Sequence, residues 1–346
     1  MVIMTPRIVD IAKVAAVSPS AVSLALNNKS GVSGELRQRI IHIATEMGYK
    51  NGFPASCISD TITIRLLKIA RHGHIVNDRH NPFITEYLEG IETAAKKQRY
   101  KLEVSFFNRV PIEEVIEAQL ETGVDGFIVL GTELRDHELN YFEKLMQPIV
   151  FIDTFFPLAA YDCVDMDNID GIFKIIQYLY NAGHRSIGLV KSTYETRNSR
   201  MREFGFREAM NYFSIPIQEK FIVGVDPTFD GSHNDMGKYL DKNNTLPTAF
   251  LCMNDIISYG TIKALRDFEF QIPDDVSIVG FDDLPSSSFS EPPLTTIRVS
   301  TQKIGERALE KLSERIIAAR FGLSGGVTEN IHISGKLVIR NSVKMI

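Results

Sequence analysis

The chain has 346 residues, long enough for two or three domains with separate cores, and its net charge is −5. With 44% hydrophobic and 23% charged residues, its composition is that of a globular protein. We expect a cytoplasmic protein with no membrane partner, because no apolar run approaches the roughly 18 residues of a membrane span and no signal-peptide pattern opens the chain. Three widely spaced cysteines predict reduced thiols, which excludes a disulfide framework and a cysteine metal cluster.

Two short helices are predicted at the start of the chain. The first has an apolar face at helical spacing, made of Ile8, Ile11, Ala12 and Ala15. Ser18 is the N-cap of the second, and Pro19 stands at its first position, where a missing N–H costs nothing. Its inward residues are Val22 and Leu26, and its outward residues are Pro19, Ser20, Ser23 and Leu24. At a crossing of about 90–120° the pair forms a helix-turn-helix, with an ordinary helical hairpin as the alternative.

A third helix from Gly34 to Met47 completes an all-α headpiece over residues 1–50. Residues 51–61 break the pattern and form a hinge. Residues 1–60 contain six basic and four acidic side chains, a balance of +2, so the remainder carries −7. A mildly basic head on an acidic body suits a small DNA-binding unit attached to a body that does not touch DNA.

From residue 62 onward, short apolar runs alternate with helical stretches. The predicted strands are Leu66–Ala70, Leu102–Phe107, Gly126–Leu130, Ile149–Asp153, Ser186–Val190, Ala249–Met253 and Val276–Phe281. The predicted helices are Phe83–Lys97, Ile169–Asn181, Arg202–Tyr212, Ile256–Phe268 and Lys303–Ala319. This alternation is too long for one open sheet, so we predict an α/β core of two doubly wound parallel-sheet subdomains over residues 62–346.

Short motifs follow one another along the chain in a fixed order. In the head they are Asp10-Ile11-Ala12, Val17-Ser18, Val22-Ser23, Leu26-Asn27, Val32-Ser33 and Gly48-Tyr49. In the body they are Asn81-Pro82-Phe83, Asp167-Asn168, Gly183-His184-Arg185, Arg202 with Gly205-Phe206, Asn254-Asp255, the run from Pro273 to Asp283 and the run from Pro292 to Arg298. With this order and spacing, the chain resembles the lactose/galactose repressor (LacI/GalR) family of bacterial transcription regulators over essentially its whole length.

The resemblance implies a homodimer whose paired heads bind double-stranded operator DNA of pseudo-palindromic sequence. It also implies a core like a periplasmic sugar-binding protein, with a small sugar-like effector in the cleft between the subdomains. The chain of such a core crosses between subdomains three times, here near residues 165–168, 291–296 and 329–333. The subdomains are then about 62–165 with 297–330, and about 166–295 with 332–346.

For DNA, the resemblance implies base contacts by Pro19, Ser20 and Leu24. It implies backbone contacts by Ser18, Ser23 and Asn27. Leu24 replaces a common arginine, which pairs bidentately with guanine, whereas leucine contacts a thymine methyl group. We therefore predict a half-site without the usual guanine preference; the alternative is that Leu24 is merely tolerated and that Ser20 and Ala21 set the specificity.

The hinge departs most from the pattern that the resemblance implies. Ala55 and Ile58 stand where an alanine and a leucine form a short helix on the operator, and Ile58 is the apolar wedge for the minor groove. Gly52, Phe53 and Pro54 make that helix costlier to order. We hypothesise that operator affinity depends more than usual on control by an effector or a partner.

In the core, the resemblance implies an effector site made of Phe83, Asp167, Arg202, Asn254 and Asp282. Three of them have a structural alternative: a surface ion pair for Arg202, a helix start for Asn254, and a cap or turn for one of the pair Asp282 and Asp283. Phe229 is a candidate aromatic lid. Hydrogen-bonding groups that converge on a cleft suit a sugar, whose hydroxyl groups must all be paired again once desolvated.

The segment from Arg71 to Asn81 contains three of the eight histidines and is longer than the resemblance implies. A metal site would use His72, His74, His80 and Asp78, but no four-ligand spacing is clear, and we expect neither metal nor cofactor. We interpret the segment as a cleft loop that recognises the effector or as part of the dimer interface.

The sequence contains none of the phosphate-loop, nucleophile-elbow or zinc-protease motifs of common enzyme classes, so we predict a regulator and not an enzyme. The alternatives are a cytoplasmic sugar-binding or sensor protein and a regulator that responds to a protein partner. Whether the effector releases or tightens DNA binding stays open, because both modes use the same cleft.

Overall fold

A computed structural model describes residues 7–26, 29, 31–47, 49, 61–77, 80–320 and 326–346 of the chain. The predictions for Asn27, Ala55 and Ile58, and for hinge residues 51–60, lie outside the described residues.

The head is a unit of three helices: α1 (Ile8–Ala15), α2 (Pro19–Leu26) and α3 (Gly34–Glu46). The axes of α1 and α2 meet at 105°, within the range of a helix-turn-helix. The buried core of the head is Ile11, Ala12, Ala15, Val22, Ala25, Leu26, Ile40, Ile41 and Ala44. No single described helix is long and apolar enough to cross a membrane; α1 and α2 pass that test only as a bent pair, and their apolar faces are packed into this core.

The first lobe is built on a six-stranded parallel sheet. Its strands are β1 (Thr63–Ala70), β2 (Lys101–Asn108), β3 (Gly126–Leu130), β4 (Ile149–Ile152), β5 (Asp162–Met166) and β11 (Asn330–Ile333), in the order β11-β5-β4-β3-β1-β2. Its helices are α4 (Asn81–Gln98), α5 (Ile112–Glu117), α6 (Leu139–Phe142) and α11 (Thr301–Arg320). β3, β4 and β5 are fully buried, as expected for parallel strands covered on both faces.

The second lobe is built on a four-stranded parallel sheet. Its strands are β6 (Ile187–Ser192), β7 (Ile222–Val225), β8 (Ala249–Cys252) and β9 (Ser277–Val279), in the order β7-β6-β8-β9. Its helices are α7 (Asn168–Asn181), α8 (Arg197–Tyr212), α9 (Phe229–Lys242) and α10 (Asp255–Asp267). β10 (Thr296–Arg298) and β12 (Lys336–Val338) pair antiparallel, and two single bridges join 279 to 295 and 282 to 298. The predicted class, an all-α head and two parallel-sheet subdomains, is confirmed.

Several elements carry no apolar run and are absent from the sequence prediction. β5 is buried although it contains two aspartates, because Arg315 pairs with Asp162 at 2.5 and 2.9 Å. In α9, only Ser232, Met236 and Leu240 are buried, so its apolar face is too sparse to detect.

The third crossing between lobes lies a few residues later than we expected. Residues 332 and 333, assigned from sequence to the second subdomain, belong to β11 and pair with β5 of the first sheet. Ile331 and Ile333 lie opposite Val164 and Met166 in this pairing and pack against the buried core, which holds the strand in the first lobe.

Candidate functional site

The outward side of α2 presents the residues predicted to contact DNA. Pro19 and Ser20 are exposed, and Ala21, Ser23 and Leu24 are half-buried, while Val22, Ala25 and Leu26 are buried. The Ser18 hydroxyl accepts a hydrogen bond from the backbone N–H of Ala21 at 3.1 Å, which makes it the N-cap. The structure therefore brings these described residues to one end and one side of α2.

Two arginines of α3 fix the position of the preceding helices. Arg37 donates to the carbonyl oxygens of Lys29 at 2.6 Å and of Ala25 at 3.4 Å. Arg39 donates to the carbonyl oxygen of Ala15 at the end of α1. Cations at helix C-termini complement the helix dipole, so these contacts hold α1 and α2 at their angle.

The carboxyl ends of strands from both sheets meet at one cavity between the lobes. From the first lobe it is lined by Ile75, Val76, His80, Phe83, Thr132 and Asp153, and from the second by Ser192, Thr196, Asn198, Arg202, Asn254 and Asp282, among others. Ligands of open α/β sheets bind at such strand ends. Its volume of about 60 Å³ is small beside the roughly 300–1,000 Å³ of small-molecule sites, so the lobes are closed on each other.

Arg202 occupies the centre of the cavity wall and is 6% exposed, which rules out the surface ion pair. Its Nε donates to Asn168 at 2.8 Å, and its Nη1 donates to the carbonyl oxygen of Met253 at 2.5 Å. Nη2 lies 3.2 Å from Asp282 Oδ1, and the guanidinium stacks 3.9 Å from the ring centre of Phe281. The cation is thus held in one orientation by three parts of the chain.

The structure separates the roles of the two neighbouring aspartates. Asp282 lines the cavity with a φ of +117°, a conformation that a non-glycine residue adopts only under constraint. Burial raises its pKa to about 8, although the charge of Arg202 opposes this. Asp283 points elsewhere and pairs with Arg298 and Arg340, each at 2.7 Å. Of the pair, Asp282 is the cavity residue and Asp283 is an ion-pair residue.

Asn254 caps a helix, as one interpretation of the sequence expected, and it also lines the cavity. Its side-chain oxygen accepts from the backbone N–H of Ile257 at 2.8 Å and caps α10. The same residue lines the cavity beside Arg202. Phe83 also lines it and packs edge-on against Tyr87 at 5.3 Å between ring centres.

Two predicted residues do not reach the cavity. The carboxylate of Asp167 accepts from the backbone N–H of Asp170 at 3.0 Å and caps α7, so a local helix start explains it. Phe229 begins α9 and lines a groove on the second lobe beside Tyr259 and Phe289, so it is no lid for this cavity.

Asp153 is a cavity residue that sequence reasoning missed. It directly follows β4, and the end of a buried parallel strand was the available signal. Its carboxylate accepts hydrogen bonds from Tyr87 at 2.9 Å, from Thr132, and from Asn198 of the other lobe at 3.2 Å. Burial raises the pKa of Asp153, and burial together with the charge of Asp153 raises that of the adjacent Asp165.

The histidine-rich segment lies over the cleft. Glu133, which is buried, accepts from the backbone N–H groups of Arg71, His72, Gly73, Ile75 and Val76 at 2.6–3.3 Å. Burial alone would raise the pKa of Glu133, but these hydrogen bonds and the His72 ring outweigh it and lower the pKa. One carboxylate therefore holds residues 71–76 in a loop beside the cleft.

The far side of this loop contacts the second lobe. The ring of His74 stacks on Tyr194 with 3.9 Å between centres, and its Nδ1 lies 3.2 Å from Asp226. Nearby, Arg197 pairs with Asp136 across the lobes at 2.8 Å. Among the described residues no group of three or more histidine, cysteine, aspartate or glutamate side chains is arranged to hold a metal ion, and Asp78 lies outside them.

Comparisons with known proteins follow the same division of the chain. The family model described as "Bacterial regulatory proteins, lacI family" matches residues 7–51. The model described as "Periplasmic binding protein-like domain" matches residues 176–343.

Curated relatives align along nearly the whole chain. The HTH-type transcriptional repressor PurR of Histophilus somni (strain 2336) is 30% identical over 341 residues, 97% of this chain and 98% of the relative. PurR of Haemophilus influenzae (strain PittEE) is 29% identical with the same coverage. The HTH-type transcriptional regulator DegA of Bacillus subtilis (strain 168) is 29% identical over 87% of this chain and 89% of the relative.

Solved structures share the fold at lower identity. A complex of the transcriptional regulator CelR with cellobiose has a TM-score of 0.72, 22% identity, and coverage of 97% of this chain and 99% of that one. The lac repressor dimer bound to operator and the anti-inducer ONPF has a TM-score of 0.69 at 20% identity, covering 99% and 100%. A regulator from Enterococcus faecium with bound ribose has a TM-score of 0.67 at 23% identity, covering 82% and 99%.

Proposed function

The chain belongs to the LacI family of bacterial regulatory proteins, and we propose that it is a repressor whose affinity for operator DNA is set by a small molecule bound between its lobes. The observation that carries this proposal is the combination, in one chain, of an outward α2 face and a cavity at converging strand ends. Bacterial DNA lies in the cytoplasm, which is where we place the protein.

We assign the DNA contacts as the sequence indicated. Pro19, Ser20 and Leu24 read base edges, and Ser18 and Ser23, with Asn27, contact the phosphate backbone. Ala55 and Ile58 enter the minor groove. Two observations support the assignment of the major-groove contacts. Pro19 and Ser20 are exposed on the outward side of α2, and the contacts of Arg37 and Arg39 fix the angle between α1 and α2.

We place the effector in the cavity, in contact with Phe83, Arg202, Asn254 and Asp282. Asp153 joins this set because its carboxylate also lines the cavity. Relatives of the same fold bound to cellobiose and to ribose support a sugar-like effector. A ligand that favours one separation of the lobes shifts the population of that state, and in this way couples the cavity to the heads.

We propose a homodimer as the DNA-binding form. Two exposed apolar surfaces support it: the edge strand β2, where Val104 and Phe106 are about half exposed, and the groove of the second lobe, where Phe289 is 87% exposed. Exposed aromatic residues of this kind mark protein interfaces. The two-fold axis places the half-sites about one helical turn apart.

The test is selection of bound sites from randomised duplex DNA by the purified full-length chain. We expect a pseudo-palindrome of roughly 14–18 base pairs with a deformable centre. Ser20→Ala should change the selected half-site, whereas the control Met146→Ala, at a residue 92% exposed in the first lobe, should not. No enrichment, either alone or with a pool of sugars and purines, would contradict the proposal.

A further inference from the structure

His80 is a buried cavity residue without an assigned role. It directly precedes α4, is 5% exposed and lines the cavity on the side of the first lobe. Its Nε2 atom is inaccessible to solvent and has no hydrogen-bond partner among the described residues. Buried polar atoms are nearly always paired, so an unpaired one at a ligand cavity points to a partner on the ligand.

The hydrogen bonds of Asn77 decide which ring nitrogen of His80 carries the hydrogen. Asn77 Nδ2 donates to the carbonyl oxygen of His74 at 2.9 Å, so the amide oxygen is the atom that faces His80. That oxygen accepts from the backbone N–H of His80 at 3.4 Å and lies 3.3 Å from ring Nδ1. Nδ1 therefore carries the hydrogen, and Nε2 offers a lone pair.

The surroundings keep this ring neutral. Burial is the main reason that the pKa of His80 is lowered to about 4, and the positive charge of Arg202 acts in the same direction, while Glu133 opposes both. At neutral pH, Nε2 can accept a hydrogen bond but cannot donate one.

Most N–H donors of Arg202, the cation of the cavity, already have partners within the protein. The Nε and Nη1 atoms of Arg202 each donate to a protein oxygen, and Nη2 lies within hydrogen-bond distance of Met166 Sδ and Asp282 Oδ1. Two acidic residues, Asp153 and Asp282, line the same cavity. An ionised carboxylate or a phosphate dianion has no hydrogen to donate to Nε2, whereas an uncharged hydroxyl or N–H group has one.

We propose that His80 is a specificity-determining residue whose Nε2 accepts a hydrogen bond from the effector, and that this effector is an uncharged molecule rich in O–H or N–H donors. The inference rests on the proposed function, because it takes the cavity as the effector site. Neutral sugars and purine bases share this donor chemistry, and the first experiment distinguishes them.

The first experiment measures the melting temperature of the full-length protein with matched neutral and anionic probes. The neutral probes are ribose, glucose, cellobiose, adenine and adenosine, and the anionic probes are the phosphates of three of them: ribose 5-phosphate, glucose 6-phosphate and adenosine monophosphate. We expect a neutral probe to raise the melting temperature and its phosphorylated form to have no effect. Whether a sugar or adenine stabilises the protein identifies the source of the donors.

The second experiment uses calorimetry with the stabilising probe and two variants of His80. His80→Asn keeps a group that can donate to Asn77 but ends short of the Nε2 position, whereas His80→Gln places an amide oxygen near that position. We expect His80→Asn to weaken binding about tenfold and His80→Gln to weaken it less than about threefold.

Probe analogues that lack one donor complete the second experiment. Removal of the group that pairs with Nε2 should weaken binding to the wild type about tenfold and leave binding to His80→Asn unchanged, because the partner is already gone. If His80 had only a structural role, His80→Asn would have a lower melting temperature than the wild type without ligand. Each analogue would then lose the same binding affinity to His80→Asn as to the wild type. These two results together would overturn the inference.

Failure of the inference and failure of the proposed function give different results. Stabilisation by the phosphorylated probes alone, or equal affinity of His80→Asn and wild type, contradicts the inference and leaves a small-molecule regulator in place. No stabilisation by any probe of either set contradicts both.

Discussion

Asn198 of the second lobe donates through Nδ2 to the carbonyl oxygen of Asp153 at 3.0 Å and lies 3.2 Å from its carboxylate, so one amide joins the two lobes at the cavity. The orientation of this amide is determined, since its oxygen accepts from Asn168 at 3.0 Å. Its position is determined too, because reciprocal hydrogen bonds between Thr196 and Ser199 cap the start of α8. The hydrogen bonds between Asn198 and Asp153 therefore depend directly on the separation of the two lobes.

We predict that Asn198→Ala loosens the closed arrangement. Loss of the amide removes the donor to the backbone carbonyl oxygen of Asp153 and one of the donors to its carboxylate, which should lower the free energy of unfolding by about 1–3 kcal/mol. Small-angle scattering should show a larger radius of gyration for the variant. The matched control is Asn211→Ala on the exposed side of the same helix, and equal behaviour of the two variants would contradict the role of Asn198.

We predict that Glu133→Ala releases the loop at residues 71–76. Five backbone N–H groups lose their common acceptor, so the variant should be less stable by about 3 kcal/mol and should be cleaved by proteases within this loop. The control is Glu143→Ala, an exposed glutamate of the same lobe. Protection of the loop in Glu133→Ala equal to that in the wild type would show that other contacts shape it.

We predict a pH-dependent difference in stability between the wild type and His80→Gln. The pKa of His80 is about 4 in the folded protein and near 6.5 in the unfolded chain, so the unfolded state binds the extra proton between these values. The contribution of His80 to the free energy of unfolding is complete above pH 6.5 and is lost as the pH falls toward 4. The wild type should lose about 3 kcal/mol relative to the non-titrating variant over this range. Urea unfolding of both proteins at several pH values checks this, and a constant difference would contradict it.

We predict that Leu24→Arg changes the operator preference. Arginine at this half-buried position of α2 can pair with guanine, so the selected half-site should gain a guanine with about 1–3 kcal/mol of discrimination. Site selection with the variant and the wild type measures this. An unaltered half-site would mean that Leu24 is tolerated and that Ser20 and Ala21 determine the specificity.

Local patterns in the sequence determined many of the helices and strands and which of their faces point outward. The N-cap at Ser18, the apolar strand at Gly126–Leu130 and the outward face of α2 each depend on residues within one or two turns of chain, so periodicity and cap chemistry predict them. The assignment of Arg202, Asn254 and Asp282 to the effector site came instead from the resemblance to the LacI/GalR family.

Tertiary structure alone decided which side chains share the cavity. Asp167 and Asp153 both follow buried strands, yet the first caps its own helix while the second meets Asn198, 45 residues away. His80 became a neutral acceptor only because burial, Arg202 and the amide of Asn77 surround it. Contacts between distant residues leave no periodic trace in the sequence, since they arise from the packing of two lobes and not from the geometry of one helix or strand.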